Sequence, residues 1–259
     1  MNTVPRFSFN YNNRPFDISD AKVTPADHGF LYELPDGLCI ELHRRDYTAY
    51  NAVGWTLWFE NKSKTESGLV SDVCDCDAAW CFGGGKSQVS VFDTAGNLSY
   101  ETYRHADRIA REFEVTENVL AHGGSLIFHP RGGRSASYQM PFFDIYTQGR
   151  GLIAAVGWSG QWQASFSHLD GDIVQIKTGL QYTAFKLRPG ERIRTSSVIL
   201  LEYYGTQTEG SNLFRRLVKH ELCPYTPDRF PFALDGMGMP TEKHLYHLGK
   251  FKEHGVKAD

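Results

Sequence analysis

Apolar and polar positions alternate in short bursts along most of this chain. From Phe7 to about Leu201, runs rich in Val, Ile, Tyr, Phe and Trp are cut by Asp-Gly, Asn-Asn, Gly-Gly and Pro-Gly. That is the punctuation of β-strands joined by tight turns. GLCIELHRR (37–45) follows the turn signal Pro35-Asp36-Gly37, and VGWTLWFEN (53–61) runs into a polar cluster. SQVSVFD, TAGN and LSYETYR (87–104) read as two strands about a Gly-Asn turn. A second hairpin is predicted over 161–177: Trp162, Ala164 and Phe166 share one face, Gln161, Gln163 and Ser165 the other, and Asp170-Gly171 turns the chain. FKLRPGERIRT (185–195) turns at Pro189-Gly190, and RHADRIAREF (104–113) reads as a short helix or an irregular connection.

The period changes after Tyr204. Leu213, Phe214, Leu217 and Val218 recur at helical spacing behind Ser211, a good N-cap, until Cys223-Pro224 stops the run. FPFALDGMGMP (230–240) is a short apolar segment ending in glycines. TEKHLYHLGKFKEHG follows, with Thr241 as cap, Leu245, Leu248 and Phe251 on one face and Gly255 at the stop. The pattern predicts an all-β domain over 1–204, a helical linker over 205–229 and one strand–loop–helix unit over 230–259.

Charge and composition narrow the function classes. With 27 Lys and Arg against 30 Asp and Glu, interspersed, the chain has no one-signed tract for a nucleic acid or an anionic membrane. No apolar run approaches the roughly 20 residues that span a bilayer, and MNTVPRFSFNYNN has no apolar stretch behind a basic start, so a cytoplasmic protein is expected. Five cysteines do not make a disulfide framework. Cys74, Cys76 and Cys81 lack the paired spacing and fourth ligand of a structural zinc site. They read instead as small apolar side chains on one face of a strand; no metal and no cofactor is expected. Asn61-Lys-Ser and Asn97-Leu-Ser fit the glycosylation sequon, which matters only in a secreted protein.

Taken in order, WTLWFENKSKTESGLVSDV (55–73), GGRSASYQMPFF (132–143), GLIAAVGWSGQWQASF (151–166), LRPGERIRTSSVILLEY (187–203) and EGSNLFRRLVKH (209–220) resemble the N-terminal part of melibiase-like α-galactosidases, glycoside hydrolase family thirty-six. The resemblance implies a large antiparallel β-supersandwich, similar in fold to galactose mutarotase, ahead of a (β/α) barrel that carries the catalytic aspartates. On that reading 230–259 is the first strand and helix of an incomplete barrel. Retaining glycosidases need two carboxyl groups about 5 Å apart, and in the family both lie on later barrel strands. The expected function is therefore a non-catalytic domain whose partners are that barrel, an α-galactoside in the intact protein, and a further copy in a homo-oligomer. A stand-alone carbohydrate-binding module, a mutarotase-like isomerase and a structural or assembly protein are the alternatives. The isomerase would need an acid–base pair, for which His122, His129 and Glu117 are unpatterned candidates.

Two stretches hold the candidate substrate-binding residues. Trp158 and Trp162 flank Ser159-Gly160 in VGWSGQWQASF; they either close the sandwich core or offer an indole face to a sugar, as the resemblance implies for one sandwich tryptophan. In GGRSASYQMPFF, Arg134 offers a planar fork of donors and Ser135 a hydroxyl, suited to a polar ligand or to holding the sandwich against a neighbouring domain.

Overall fold

A computed structural model of the chain describes residues 5–83, 88–96, 113–223 and 240–256. It contains two compact units, residues 1–217 and 218–259. The first is the all-β sandwich that the alternating pattern predicts, and every strand pairing described in it is antiparallel.

The largest of its three sheets has nine strands, in the order β10 (Val115–Leu120), β9 (Val89–Ala95), β12 (Gln139–Thr147), β13 (Arg150–Gly157), β17 (Arg192–Tyr204), β6 (Ala52–Asn61), β5 (Leu38–Tyr47), β4 (Gly29–Glu33) and β3 (Lys22–Ala26). Two four-stranded sheets complete the unit. One runs β16 (Ala184–Phe185), β7 (Val70–Cys74), β1 (Ser8–Tyr11), β2 (Arg14–Pro15); the other runs β11 (Ser125–Phe128), β14 (Trp162–Leu169), β15 (Ile173–Leu180), β8 (Cys76–Cys81). One core cluster draws on all three sheets: Ile40, Leu57 and Leu200 from the first, Phe9 and Val70 from the second, Trp162 and Phe166 from the third. Period-2 alternation puts these side chains inward and their neighbours outward.

The predicted hairpin at 161–177 is β14 and β15, with Gly171 supplying the left-handed φ of +74° that its turn needs. In the hairpin predicted over 87–104, the first arm is β9 and the second lies outside the described residues, as do Asn97 and most of 104–113. β9 pairs with β10 and β12.

β17 slips register between Arg194 and Ser197, a bulge that turns both Thr195 and Ser196 into the interior. The carboxyl of Asp75, at the junction of β7 and β8, meets them there. Thr195 Oγ1 and Ser196 Oγ donate to it, and so does the Ser196 amide at 3.2 Å. Burial pushes this carboxyl up to about 7 even though those hydrogen bonds pull the other way.

Helix α1 (Gln207–Leu217) starts four residues before the expected cap at Ser211. A capping box sets the start: the Thr206 hydroxyl accepts from the Glu209 amide at 3.3 Å, and the Glu209 carboxylate accepts from the Thr206 amide at 2.7 Å. Leu213, Phe214 and Leu217 pack with Ile153, Leu201 and Tyr203 in a second core cluster. Gly151 and Gly210 let helix and sheet close on Tyr203; a Cβ at either would lie 2.3 or 2.5 Å from that ring. The Tyr203 hydroxyl donates to both Asp144 oxygens, at 2.9 and 2.8 Å.

In the second unit, helix α2 (Thr241–Glu253) ends at Gly255, whose φ of +67° turns the Val256 amide back to the Phe251 carbonyl at 2.9 Å. Pro240 occupies the N-cap position expected for Thr241. The strand expected in 230–239 lies outside the described residues. Among the described residues no helix is long and apolar enough to cross a membrane.

Candidate functional site

The loop after β11 and the turn between β13 and β14 meet at one end of the sandwich, and all four candidate residues lie there. The Ser135 amide donates to the Ser159 carbonyl at 3.1 Å, and the Gly133 amide to Gln161 Oε1 at 3.1 Å. A Cβ on Gly160 would sit 3.0 Å from Trp158 Nε1, so the turn lies close against the indole.

The two tryptophans are placed differently. Trp162 has no exposed surface: it packs edge-on to Phe143, with centroids 5.7 Å apart, and donates its indole N–H to the Ser135 carbonyl at 2.9 Å. Trp158 is half-buried at the rim of the core with the Arg194 guanidinium 5.8 Å from its ring centroid. Arg134 is exposed, and Ser135 works through its backbone, whose N–H and C=O hold the turn and Trp162 respectively.

Arg194 extends the site along the outer face of the large sheet. It pairs directly across β17–β6 with Trp58, and Arg192, two residues earlier on the same face, covers the Trp58 ring at 4.1 Å. Arg192 also donates to Glu41 Oε2 at 2.7 Å, while His43 Nε2 lies 2.7 Å from Glu41 Oε1. The stripe therefore runs Glu41, Arg192, Trp58, Arg194, Trp158. Partial burial raises the Glu41 carboxyl, but hydrogen bonds from His43 and Arg192 outweigh that and hold it below the ordinary carboxylate range. Sequence reading passed over Trp58, Arg192 and Arg194; the Arg-Ile-Arg alternation opposite Trp58 was the available signal.

Chemically, the stripe offers hydrogen-bond donors and guanidinium-covered indoles. A general acid needs both a raised pKa and access to the substrate. Among the described residues, the carboxyls raised furthest are already engaged: Asp75 is fully buried under Thr195 and Ser196, and half-buried Asp144, raised to about 6 by burial, is held by Tyr203 and Gln207. Glu117 accepts from Ser90 Oγ at 2.7 Å, His129 Nδ1 contacts the Pro130 carbonyl at 3.1 Å, and His122 lies 3.6 Å from Asp170. Each of the isomerase candidates is engaged locally rather than with another of the three.

The cysteines do not share one strand face. Cys76 is buried, Cys81 exposed and Cys74 intermediate, because Asp75 breaks the strand between the first two and Cys81 falls on the opposite parity to Cys76. Among the described residues no three His, Cys, Asp or Glu side chains group for a metal. Asn61 is buried, its amide donating to the Thr65 and Leu187 carbonyls at 2.8 Å each, so this sequon is closed to a glycan.

A β-sandwich with a flanking helix, bearing an aromatic and guanidinium stripe, is the class that fold and site define. No protein-family profile matches the chain, and no curated sequence does. Solved structures do match. An α-galactosidase from Lactobacillus brevis superimposes with a TM-score of 0.59 at 13% identity, over 84% of this chain and 28% of that one. The galactosidase domain of an α-galactosidase–sucrose kinase gives 0.62 at 12%, over 87% and 31%. A family 36 glycoside hydrolase α-galactosidase from Geobacillus stearothermophilus gives 0.57 at 16%, over 84% and 30%. At such identities the likeness is one of fold, and the chain spans about three-tenths of the length of these enzymes.

Proposed function

We propose that these residues form the non-catalytic N-terminal sandwich domain of an α-galactosidase-like glycoside hydrolase, a cytoplasmic enzyme acting on terminal α-galactosides. In this reading the catalytic carboxylates belong to a (β/α) barrel. The sandwich supports that barrel and contributes oligomer contacts, and Trp158, Arg134 and Ser135 help wall the sugar pocket while Trp162 fixes the turn beneath them. The observation that carries the proposal is the match of more than four-fifths of this chain to one portion of several α-galactosidases. The chemistry agrees with that reading: of the described carboxyls raised well above their usual range, Asp75 is fully buried and half-buried Asp144 is bonded to Tyr203.

The test has two arms. The purified chain, at high concentration, is expected to release no nitrophenol from an aryl α-galactoside; turnover that follows the protein through purification overturns the non-catalytic role. Reading the coding DNA on both sides of these codons is expected to show a barrel segment with Asp at its strand ends. Unrelated sequence on both sides overturns the parentage.

A further inference from the structure

Among the described residues three arginines lay a guanidinium over an indole: Arg150 at 5.3 Å from the Trp80 ring centroid, Arg192 at 4.1 Å from Trp58 and Arg194 at 5.8 Å from Trp158. Stacking uses the flat face of the guanidinium and leaves its N–H edge for an oxyanion. In the first two, that edge is filled by the chain's own carboxylates. Arg150 Nε donates to Glu202 Oε1 at 3.0 Å, and Arg192 Nη2 donates to Glu41 Oε2 at 2.7 Å. Arg194 repeats the arrangement beside Arg192 but is exposed and has no Asp or Glu partner among the described residues. A lone exposed arginine is ordinarily just solvated; a stacked one whose two counterparts each hold a carboxylate is oriented for a third.

The surroundings add no acid. Residues 121–143 and 145–169, which supply the loop after β11 and the turn between β13 and β14, contain no Asp or Glu. The loop meets the turn beside the indole: a Cβ at Gly160 would lie 3.0 Å from Trp158 Nε1 and 3.7 Å from the Gly133 carbonyl oxygen. Gln161 bonds the loop at Pro130 and, at 3.1 Å, at Gly133, which brackets Arg131; Arg134 lies between Gly133 and Ser135, whose amide is bonded to Ser159. Both arginines are exposed, and among the described residues neither has an acidic partner. Their uncompensated charge draws an anion toward this end, and the Arg194 edge supplies the directional pairing.

We propose that Arg194, stacked on Trp158 and neighboured by the loop of Arg131 and Arg134, binds an acidic saccharide, one carrying a carboxylate or a phosphate. The saccharide rests on the function proposed above; the oxyanion rests on the unfilled edge of Arg194. The experiment is 15N NMR of the whole chain, following the Trp158 indole N–H, which Trp158→Phe identifies by its loss. Galacturonate, galactose 6-phosphate, galactose, acetate and inorganic phosphate are titrated separately at millimolar concentration. At least one of the two acidic sugars is expected to shift this signal with an affinity about tenfold or more above that of galactose, and the better of the two tells carboxylate from phosphate. Arg194→Gln is expected to keep the melting temperature and lower that affinity about tenfold, the worth of one charge-assisted hydrogen bond. Arg134→Gln is expected to lower it less, with the difference lost at high salt. Should Arg194→Gln fail to fold, Arg194→Lys keeps the charge and removes the planar fork, and the same loss is expected. No shift with either acidic sugar, an equal response to galactose, or unchanged affinity in the Arg194 variant overturns the site. Acetate or inorganic phosphate binding as tightly as the acidic sugars makes it a site for small anions and overturns the saccharide. None of these outcomes touches the nitrophenol or coding-DNA arms, so the two proposals fail separately.

Discussion

Asp75 sits where two sheets and a bulge converge, with its backbone carbonyl taking the Trp55 indole N–H at 2.6 Å and its carboxyl taking the Thr195 and Ser196 donors. Its pKa rises on folding from 3.8 to about 7. The folded state therefore keeps a proton that the unfolded state has already lost. The sign follows directly: this group's contribution is complete below about pH 4 and is lost as pH rises through about 7, on the order of 4 kcal/mol at most. Asp75→Asn keeps an acceptor for the Ser196 amide and cannot ionise. The wild-type urea midpoint should fall more steeply than the variant's between pH 5 and 8, and parallel pH profiles would show that Asp75 does not titrate in this range. The tryptophans separate at the same scale. Trp162→Ala removes a side chain with no exposed surface and should cost about 3–5 kcal/mol. Trp158→Ala loses a rim contact and a guanidinium–indole pair and should cost on the order of 1 kcal/mol. Urea denaturation of the two variants checks the order. The sequence could place both rings at a turn, but not their depth, because depth depends on Phe143 and Ser135 arriving from distant strands.

Elements built from local signals were legible. Asp170-Gly171 between two alternating runs defines β14 and β15, since both turn and register are encoded within a few residues. The start of α1 was equally local and was misplaced: Thr206-Gln-Thr-Glu209 is a capping box, but Ser211 stood nearer the apolar run. The bulge in β17 was not legible, because Thr195 and Ser196 turn inward only to meet Asp75 from another sheet. Gly210 makes the contrast testable. In an ordinary helix Gly→Ala gains about 1 kcal/mol. Here the new methyl group would lie 2.5 Å from the rigid Tyr203 ring, so Gly210→Ala should instead lose about 1–3 kcal/mol through overpacking. Amides of 207–217 should exchange faster, and slower exchange would mean that the helix can shift away from the ring without loss.

At the scale of the molecule, the alternating pattern announces a sandwich but not its strand order. β17 sits between β13 and β6 in the large sheet, and no short-range signal distinguishes that arrangement from others with the same strands. What the structure adds is closure. Among the described residues every member of both core clusters lies at or before Leu217, and Leu213, Phe214 and Leu217 of α1 belong to the second cluster. Among the described residues the buried core of the first unit is drawn from its own elements, whereas α2 has no buried residue and leaves Leu245 64% and Leu248 58% exposed. An isolated helix of that length is marginal in water. Residues beyond Cys223 should therefore add little to the cooperative unfolding of the sandwich. A chain stopped after Cys223 is expected to keep the urea midpoint of the full chain to within about 0.5 kcal/mol, with nearly the same slope, because the slope scales with the surface exposed on unfolding. A lower midpoint, or a clearly smaller slope, would show that the C-terminal segment shares the sandwich's cooperative core. The sandwich would then not be complete at Leu217, and the case for an independently folded domain beside a barrel would lose its physical basis.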